Sequence, residues 1–381
     1  MQRAALRSLA GLGIVLVWTA VSVGTEPVRR VPPMEEGPPA PGKRVKVVPP
    51  EYAGTEVYYS LYLPTGYRRG EQHPVIVEYT GNYFPLSGST GEVKDANLGY
   101  AIAEHLNAIW LVMPYVEGDR SVVRWWGSER ETIEYALTNI RRVCETYGGN
   151  PAEVFLCGFS RGAIAANYLG LYNDEIADVW LGFFAHDGMD GVRNFWKNEI
   201  STDTLRRQAE ERLRRLRGRA ELVTQHGSLA SIAAYLEEND RRVYGEFTLI
   251  SVPIESIIPD IPNDDVPHPH TDKWLLYDSE YSARVFRWFD AVRKDKPGTF
   301  TLSGRVVDTS GTPLPNAIVE TGRTHFATTD AQGRYVLEGL RRGSRTVRVI
   351  HPGAPLRTPI ARTIDLQYNL DGFDFTIPLV R

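Results

Sequence analysis

Chemistry concentrates at Gly158-Phe159-Ser160-Arg161-Gly162, a serine with glycine two residues to either side. Phe155-Leu156-Cys157 before it reads as a buried strand, and Ala163-Ile164-Ala165-Ala166 after it opens a helix. In that setting a G-x-S-x-G pentapeptide puts the serine on a strained strand-to-helix turn, where any larger flanking residue would collide with the turn and glycine supplies the room. The turn lifts the hydroxyl above the carboxyl edge of a sheet. It also aims the helix N-terminus at the hydroxyl, a positive dipole end that favours a developing oxyanion. The plainer alternative is a Gly-Ser turn; strand, turn and small-residue helix together favour a nucleophile. A serine hydroxyl is weakly nucleophilic until a neighbouring base takes its proton. A base, a group to orient that base, and two donors for the oxyanion must therefore come from elsewhere in the chain.

The surrounding elements are of the kind that could deliver them. Val57 to Leu63 alternates like an edge strand, while Pro74 to Tyr79 (PVIVEY) and Ala108 to Pro114 (AIWLVMP) are short apolar runs. Glu129 to Thr146 places Ile133, Leu137, Ile140 and Val143 at three-and-four spacing, and Gly148-Gly149 ends that helix. Further strands are predicted at Val179 to Ala185, Glu221 to Thr224 and Glu246 to Val252, with helices at Thr204 to Leu216, Ser228 to Glu238 and Ser279 to Val292. Strands alternating with helices, several continuously apolar, imply an α/β fold with a mostly parallel sheet covered on both faces.

With Leu63-Pro64-Thr65-Gly66-Tyr67, Pro74-Val75-Ile76-Val77, Gly158 to Gly162 and His270-Thr271-Asp272-Lys273-Trp274-Leu275, the span from Val45 to Arg293 resembles the α/β-hydrolase superfamily. The likeness is to secreted esterases of the feruloyl esterase and polyhydroxyalkanoate depolymerase type and to prolyl-oligopeptidase-like hydrolases. The resemblance implies the chain order nucleophile, acid, histidine. It points to His270 as base, because His270 directly precedes the run into the last helix, with His268 as the alternative and His226 a weaker one. The acid departs from the usual pattern. Thr224-Gln225-His226-Gly227 offers no carboxylate after the next-to-last strand, so Asp190 is the first choice and Asp187 the second, both after the strand before it. The bland reading of these two is a pair of Asp-Gly turns. For the oxyanion, the resemblance implies the backbone N–H of Arg161 and one from Asn82 or Tyr83, in Thr80-Gly81-Asn82-Tyr83 where many relatives carry His-Gly.

Trp125-Trp126 follows the AIWLVMP strand on the same edge as the serine, as a substrate wall or simply as core. The arginines of the Thr204 to Leu216 helix read as a solvated face. Cys144 and Cys157 read as small buried hydrophobes, although export would permit a bridge. With no HExxH, CxxC or EF-hand spacing, neither metal nor cofactor is indicated.

The 381 residues, at about 150 per domain, imply two or three domains. A balance of 43 basic against 47 acidic residues gives no electrostatic reason to expect nucleic acid or an anionic membrane as partner. Residues 1–24 have the layout of an export signal: Arg3 and Arg7, an apolar run from Leu9 to Val23, then small residues. An uncleaved N-terminal anchor is the alternative. Residues 25–50 are dense in proline and read as an extended tether, and 51–296 as the hydrolase-like unit. Residues 299–381 carry strands without helices and read as a β-sandwich. Gly304-x-Val306-x-Asp308-x-x-Gly311-x-Pro313-Leu314-Pro315-x-Ala317 and Thr329-Asp330-x-x-Gly333-x-Tyr335 resemble the carboxypeptidase regulatory-like, transthyretin-like module, an accessory domain without catalytic residues. The expected function is that of a secreted serine esterase acting on a small-molecule or polymer ester. A peptidase of prolyl-oligopeptidase type and a catalytically silent binding module are the alternatives, and the oligomeric state is not readable.

Overall fold

Seven consecutive buried residues in His73–Tyr79 and five in Ile109–Met113 are strands that only a sheet covered on both faces can accommodate. A computed structural model of the chain describes residues 27–196, 198–262, 266–353 and 360–378. The export signal expected at residues 1–24 lies outside the described residues. In chain order the first unit contains β1 (Met34–Glu35), β2 (Arg44–Val47), β3 (Tyr59–Tyr62), β4 (His73–Tyr79), α1 (Leu98–Leu106) and β5 (Ile109–Met113). There follow the small hairpin β6 (Val116–Glu117) and β7 (Arg120–Ser121), then α2 (Glu129–Tyr147), β8 (Gly149–Phe159), α3 (Arg161–Tyr168), α4 (Asp174–Ala177), β9 (Gly182–His186) and α5 (Thr202–Leu213). The unit closes with β10 (Ala220–His226), α6 (Ala230–Glu237), β11 (Glu246–Val252), α7 (Ile254–Ile257) and α8 (Glu280–Asp295). The sheet order is β1-β2-β3-β5-β4-β8-β9-β10-β11, parallel from β5 through to β11. The first unit is thus an α/β fold built on one nine-stranded, mostly parallel sheet.

Alternation along each strand divides the core. Val75, Val77 and Leu156 pack with Ile133, Leu137 and Ile140 of α2 and with the alanines of α3 on one face. Ile76, Phe155 and Cys157 pack with α1 and with Val285, Phe286 and Phe289 of α8 on the other. Ser128 caps α2 by accepting the Glu131 N–H, and Gly148 ends it in the left-handed conformation (φ 70°). Cys144 and Cys157 are buried and free, without the bridge that export would have allowed. No helix among the described residues is long and apolar enough to cross a membrane.

Residues 27–50 correct the expectation of a tether. They are extended, but packed. β2 lies between β1 and β3, the Arg29 N–H donates to the Leu276 carbonyl (3.1 Å), and the Arg44 guanidinium donates to Ser60 Oγ and the Val93 carbonyl (2.8 Å each). Proline removes a donor without forbidding extended backbone: no proline of this segment lies within β1 or β2, and Pro41 joins the sheet through an isolated bridge to Leu63.

Beyond α8 come β12 (Phe300–Asp308), β13 (Ile318–Thr321), β14 (His325–Thr328), β15 (Arg334–Leu340), β16 (Gly343–Ile350), β17 (Ile360–Leu366) and β18 (Phe375–Ile377). They form two sheets, β15-β12-β18 and β14-β13-β16-β17, around Leu302, Val306, Val319, Leu337, Val347 and Phe375. This sandwich is bolted to the first unit by ion pairs: Arg141–Glu320 (2.9 Å), Arg323–Glu134 (2.7 Å) and a fork from Arg345 onto Asp178, both largely buried. Burial alone would raise the Asp178 carboxyl. The Arg345 fork, backed by His325 and Arg341, outweighs it and holds Asp178 well below the usual carboxylate range. A depressed folded-state pKa adds stability above the unfolded value of about 3.9 and loses it as pH falls through and below that value. Acidification below about pH 4 is therefore expected to loosen this contact. Asp178→Asn should lower stability at neutral pH by about 3 kcal/mol, because it leaves Arg345 unpaired, and flatten the acid dependence; thermal melts across pH measure both.

Candidate active site

The turn at residue 160 has the strain that its sequence requires. Ser160 holds φ 56°, ψ −112°, and its N–H donates to the His186 carbonyl across the sheet (2.8 Å). A Cβ on Gly158 would lie 2.2 Å from the Gly162 backbone, and one on Gly162 would lie 1.9 Å from the Tyr79 carbonyl oxygen. Neither neighbour can give way, so both positions admit glycine alone.

His270, from the loop between α7 and α8, brings Nε2 to 2.9 Å from Ser160 Oγ. Its Nδ1 lies 2.8 Å from Asp187 Oδ2, on the residue immediately after β9. A carboxylate only accepts, so Nδ1 carries the proton and Nε2 is left as acceptor for the serine hydroxyl. Asp187 sits in the left-handed region (φ 63°), its N–H donating to the Thr224 carbonyl of β10 (2.9 Å). The same Oδ2 is also 2.6 Å from His226 Nδ1, and Oδ1 accepts the His226 backbone N–H (2.7 Å). Burial pushes the Asp187 carboxyl up, but His186 nearby and the bonds from His226 and His270 outweigh it, so it stays ionised well below the usual range. The same bond raises His226 above the ordinary imidazole value against its partial burial.

Four expectations are corrected. Asp190 does not reach either late histidine: its carboxylate is buried against Arg212 Nε (2.7 Å), under the helix α5. Asp187 rather than Asp190 meets His270, because the chain turns sharply at the end of β9 and carries residue 190 under α5. His268 lies beside the site without facing the serine, its Nδ1 accepting the His270 backbone N–H (2.9 Å). The Tyr83 N–H is committed to the Val123 carbonyl (2.8 Å), which leaves the Asn82 N–H as the remaining candidate of the two. Trp126 is core, 5% exposed and stacked on Tyr168, while Trp125 faces the cleft.

Arg161 was expected only as a backbone donor, yet its side chain is the most connected group near the serine. It is 1% exposed. Nη1 donates to the Trp125 carbonyl (2.8 Å) and Nη2 to the Gly81 carbonyl (2.9 Å), with longer contacts to Thr80, Gly91 and Val122. Its face lies 3.8 Å over the Tyr115 ring. Burial lowers the guanidinium to about 10, with Tyr115 opposing, so it keeps its charge at neutral pH. One side chain thus ties the Asn82 loop and the Trp125 loop to the N-terminus of α3. A full charge opening a helix of small buried residues was the sequence signal for this.

These groups line one cleft of about 550 Å³, together with Phe84, Ile164, Met189, Val192 and Phe195. Its lining lies between residues 82 and 270, with no described residue of the sandwich among it. Asp187, His226 and His270 are the one trio of metal-capable side chains grouped among the described residues. Both Nδ1 atoms point at the same carboxylate oxygen, so hydrogen bonds account for the arrangement.

Residues 301–372 match the carboxypeptidase regulatory-like domain family. Among curated proteins none matches the chain in sequence. Among solved structures, a fungal esterase from Rhizomucor miehei is similar at 10% identity over 63% of this chain and 80% of its own, with a TM-score of 0.43. A ferulic acid esterase is similar at 12% identity over 66% of this chain and 97% of its own, TM-score 0.39. An isopeptidase is similar at 14% identity over 66% of this chain and 43% of its own, TM-score 0.39.

Proposed function

We propose that this protein is an exported serine hydrolase that cleaves carboxylic esters through an acyl-enzyme. The observation that carries the reading is the unbroken relay from Ser160 Oγ to His270 Nε2 (2.9 Å) and from His270 Nδ1 to Asp187 Oδ2 (2.8 Å). In this reading His270 takes the Ser160 proton as Oγ attacks the acyl carbon. Asp187 holds the imidazole in the productive tautomer and stabilises the imidazolium. The tetrahedral oxyanion accepts from the Arg161 and Asn82 backbone N–H groups. As it collapses, the ester C–O bond breaks and His270 protonates the departing alcohol. Water, deprotonated by His270, then attacks the acyl-serine, and the carboxylic acid leaves with Ser160 restored. The residue 1–24 signal would deliver the enzyme outside the cytoplasm.

Wild type is expected to turn over short-chain p-nitrophenyl esters and to be labelled on Ser160 by a fluorophosphonate. Ser160→Ala should abolish labelling and cut turnover by at least roughly 10³-fold. A wild-type protein that neither hydrolyses these esters nor takes the label would instead be a binding module on a hydrolase scaffold.

A further inference from the structure

We propose that the cleft selects esters carrying an anionic group, held between Arg124 and Arg193; this rests on the reading of Ser160 as nucleophile. The two arginines come from separate loops, one after β7 and the other after β9, and both line the cleft with exposed side chains. The loops meet through their aromatic residues, Trp125 and Phe195, with ring centroids 5.2 Å apart. Arg124 lies over the Tyr83 ring (5.2 Å) and Arg193 over the Phe195 ring (5.0 Å).

Among the described residues neither guanidinium has a carboxylate partner, whereas Arg206, Arg212, Arg214, Arg217 and Arg241 each have one. Among the described residues the cleft's sole acidic residue is Asp187, whose side chain is 2% exposed and spent on two imidazoles and a backbone N–H. A substrate therefore meets an apolar, aromatic wall with two unneutralised cations at its edge, a field that concentrates anions. Guanidinium forks bind carboxylates bidentately, and stacking on rings already restrains these two, so less freedom is lost when an anion docks. A neutral ester gains nothing from either. The substrate class assigned is an ester whose acyl or alcohol part bears a carboxylate or comparable anion, with room for a ring beside Trp125.

Two matched pairs test this: 4-nitrophenyl hemisuccinate against 4-nitrophenyl butyrate, and 4-carboxyphenyl acetate against 4-carbamoylphenyl acetate. The first pair puts the charge on the acyl group, the second on the alcohol. In at least one pair kcat/KM should favour the anion by about tenfold, mainly through KM, and the preference should shrink with added salt. In the Arg124→Gln, Arg193→Gln double variant the ratio should collapse towards one. A wild-type ratio near or below one in both pairs overturns the proposal, as does a double variant that keeps the preference. If neutral esters are not hydrolysed and no label is taken up, the hydrolase reading fails separately. Calorimetry of benzoate against benzamide on Ser160→Ala then decides the anion site. Tighter benzoate binding that is lost with both arginines sustains it, and equal affinities overturn it.

Discussion

Asp187→Asn is expected to lower kcat for ester hydrolysis by roughly 10⁴-fold while the protein still folds, the scale seen when a triad carboxylate becomes an amide. The cause is a tautomer, not a lost contact. Asp187 Oδ2 accepts from His270 Nδ1, which forces the ring proton onto that nitrogen and leaves Nε2 free to accept from Ser160 Oγ. An amide NH2 turned towards Nδ1 reverses the preference, so Nε2 carries the proton and has no lone pair for the serine. Labelling by a fluorophosphonate should slow in parallel, since it needs the same activated hydroxyl. Asp190→Asn is the control. It unpairs Arg212 in a buried setting and should lower stability by about 2 kcal/mol, yet leave kcat within about threefold. If Asp187→Asn stays within about tenfold of wild type, Asp187 does not orient the base.

Arg161→Met carries the second large effect, and it should strike stability and catalysis together. The guanidinium satisfies the Gly81 and Trp125 carbonyls at short range and four further acceptors at 3.3–3.4 Å, all around a buried site. A buried acceptor left without its donor costs about 1–3 kcal/mol, so losing the two or three closest should cost about 3–6 kcal/mol by chemical denaturation. At a temperature where the variant remains folded, kcat should still fall by about 10²-fold or more. The loop presenting the Asn82 N–H is then no longer anchored, and one oxyanion donor is worth about that much. Arg161→Lys should fall between the two, because an ammonium offers three donors without the planar fork that spans both loops. A variant that loses stability but retains wild-type kcat would make Arg161 a purely structural clamp.

Much of the architecture was legible in advance because it rests on short-range rules. Apolar runs such as PVIVEY read as buried strands, the three-and-four spacing after Glu129 reads as one face of a helix, and Gly158 is dictated by a collision with Gly162 four residues on. The position of His270 followed from chain order rather than from physics. Trp125 and Trp126 could not be told apart, because adjacent residues in a loop point opposite ways and only the neighbouring Tyr168 and Phe195 decide which indole is covered. The proline-rich stretch misled for a related reason: composition reports what backbone proline forbids, not which sheet edge lies near enough to pair with the residues between.

What the amino-acid order determined by itself is the sharp bend at Ser160, since a Cβ on Gly158 would strike the Gly162 backbone within the same five residues. What only the tertiary structure decided is the company that serine keeps. Asp187 rather than Asp190 reaches His270 because the parallel register of β8, β9 and β10 sets Ser160, Asp187 and His226 at adjacent strand ends. Register is a property of the whole sheet, fixed by how its two faces bury their side chains, so three residues in the chain separate a charge near the imidazole from one locked under α5.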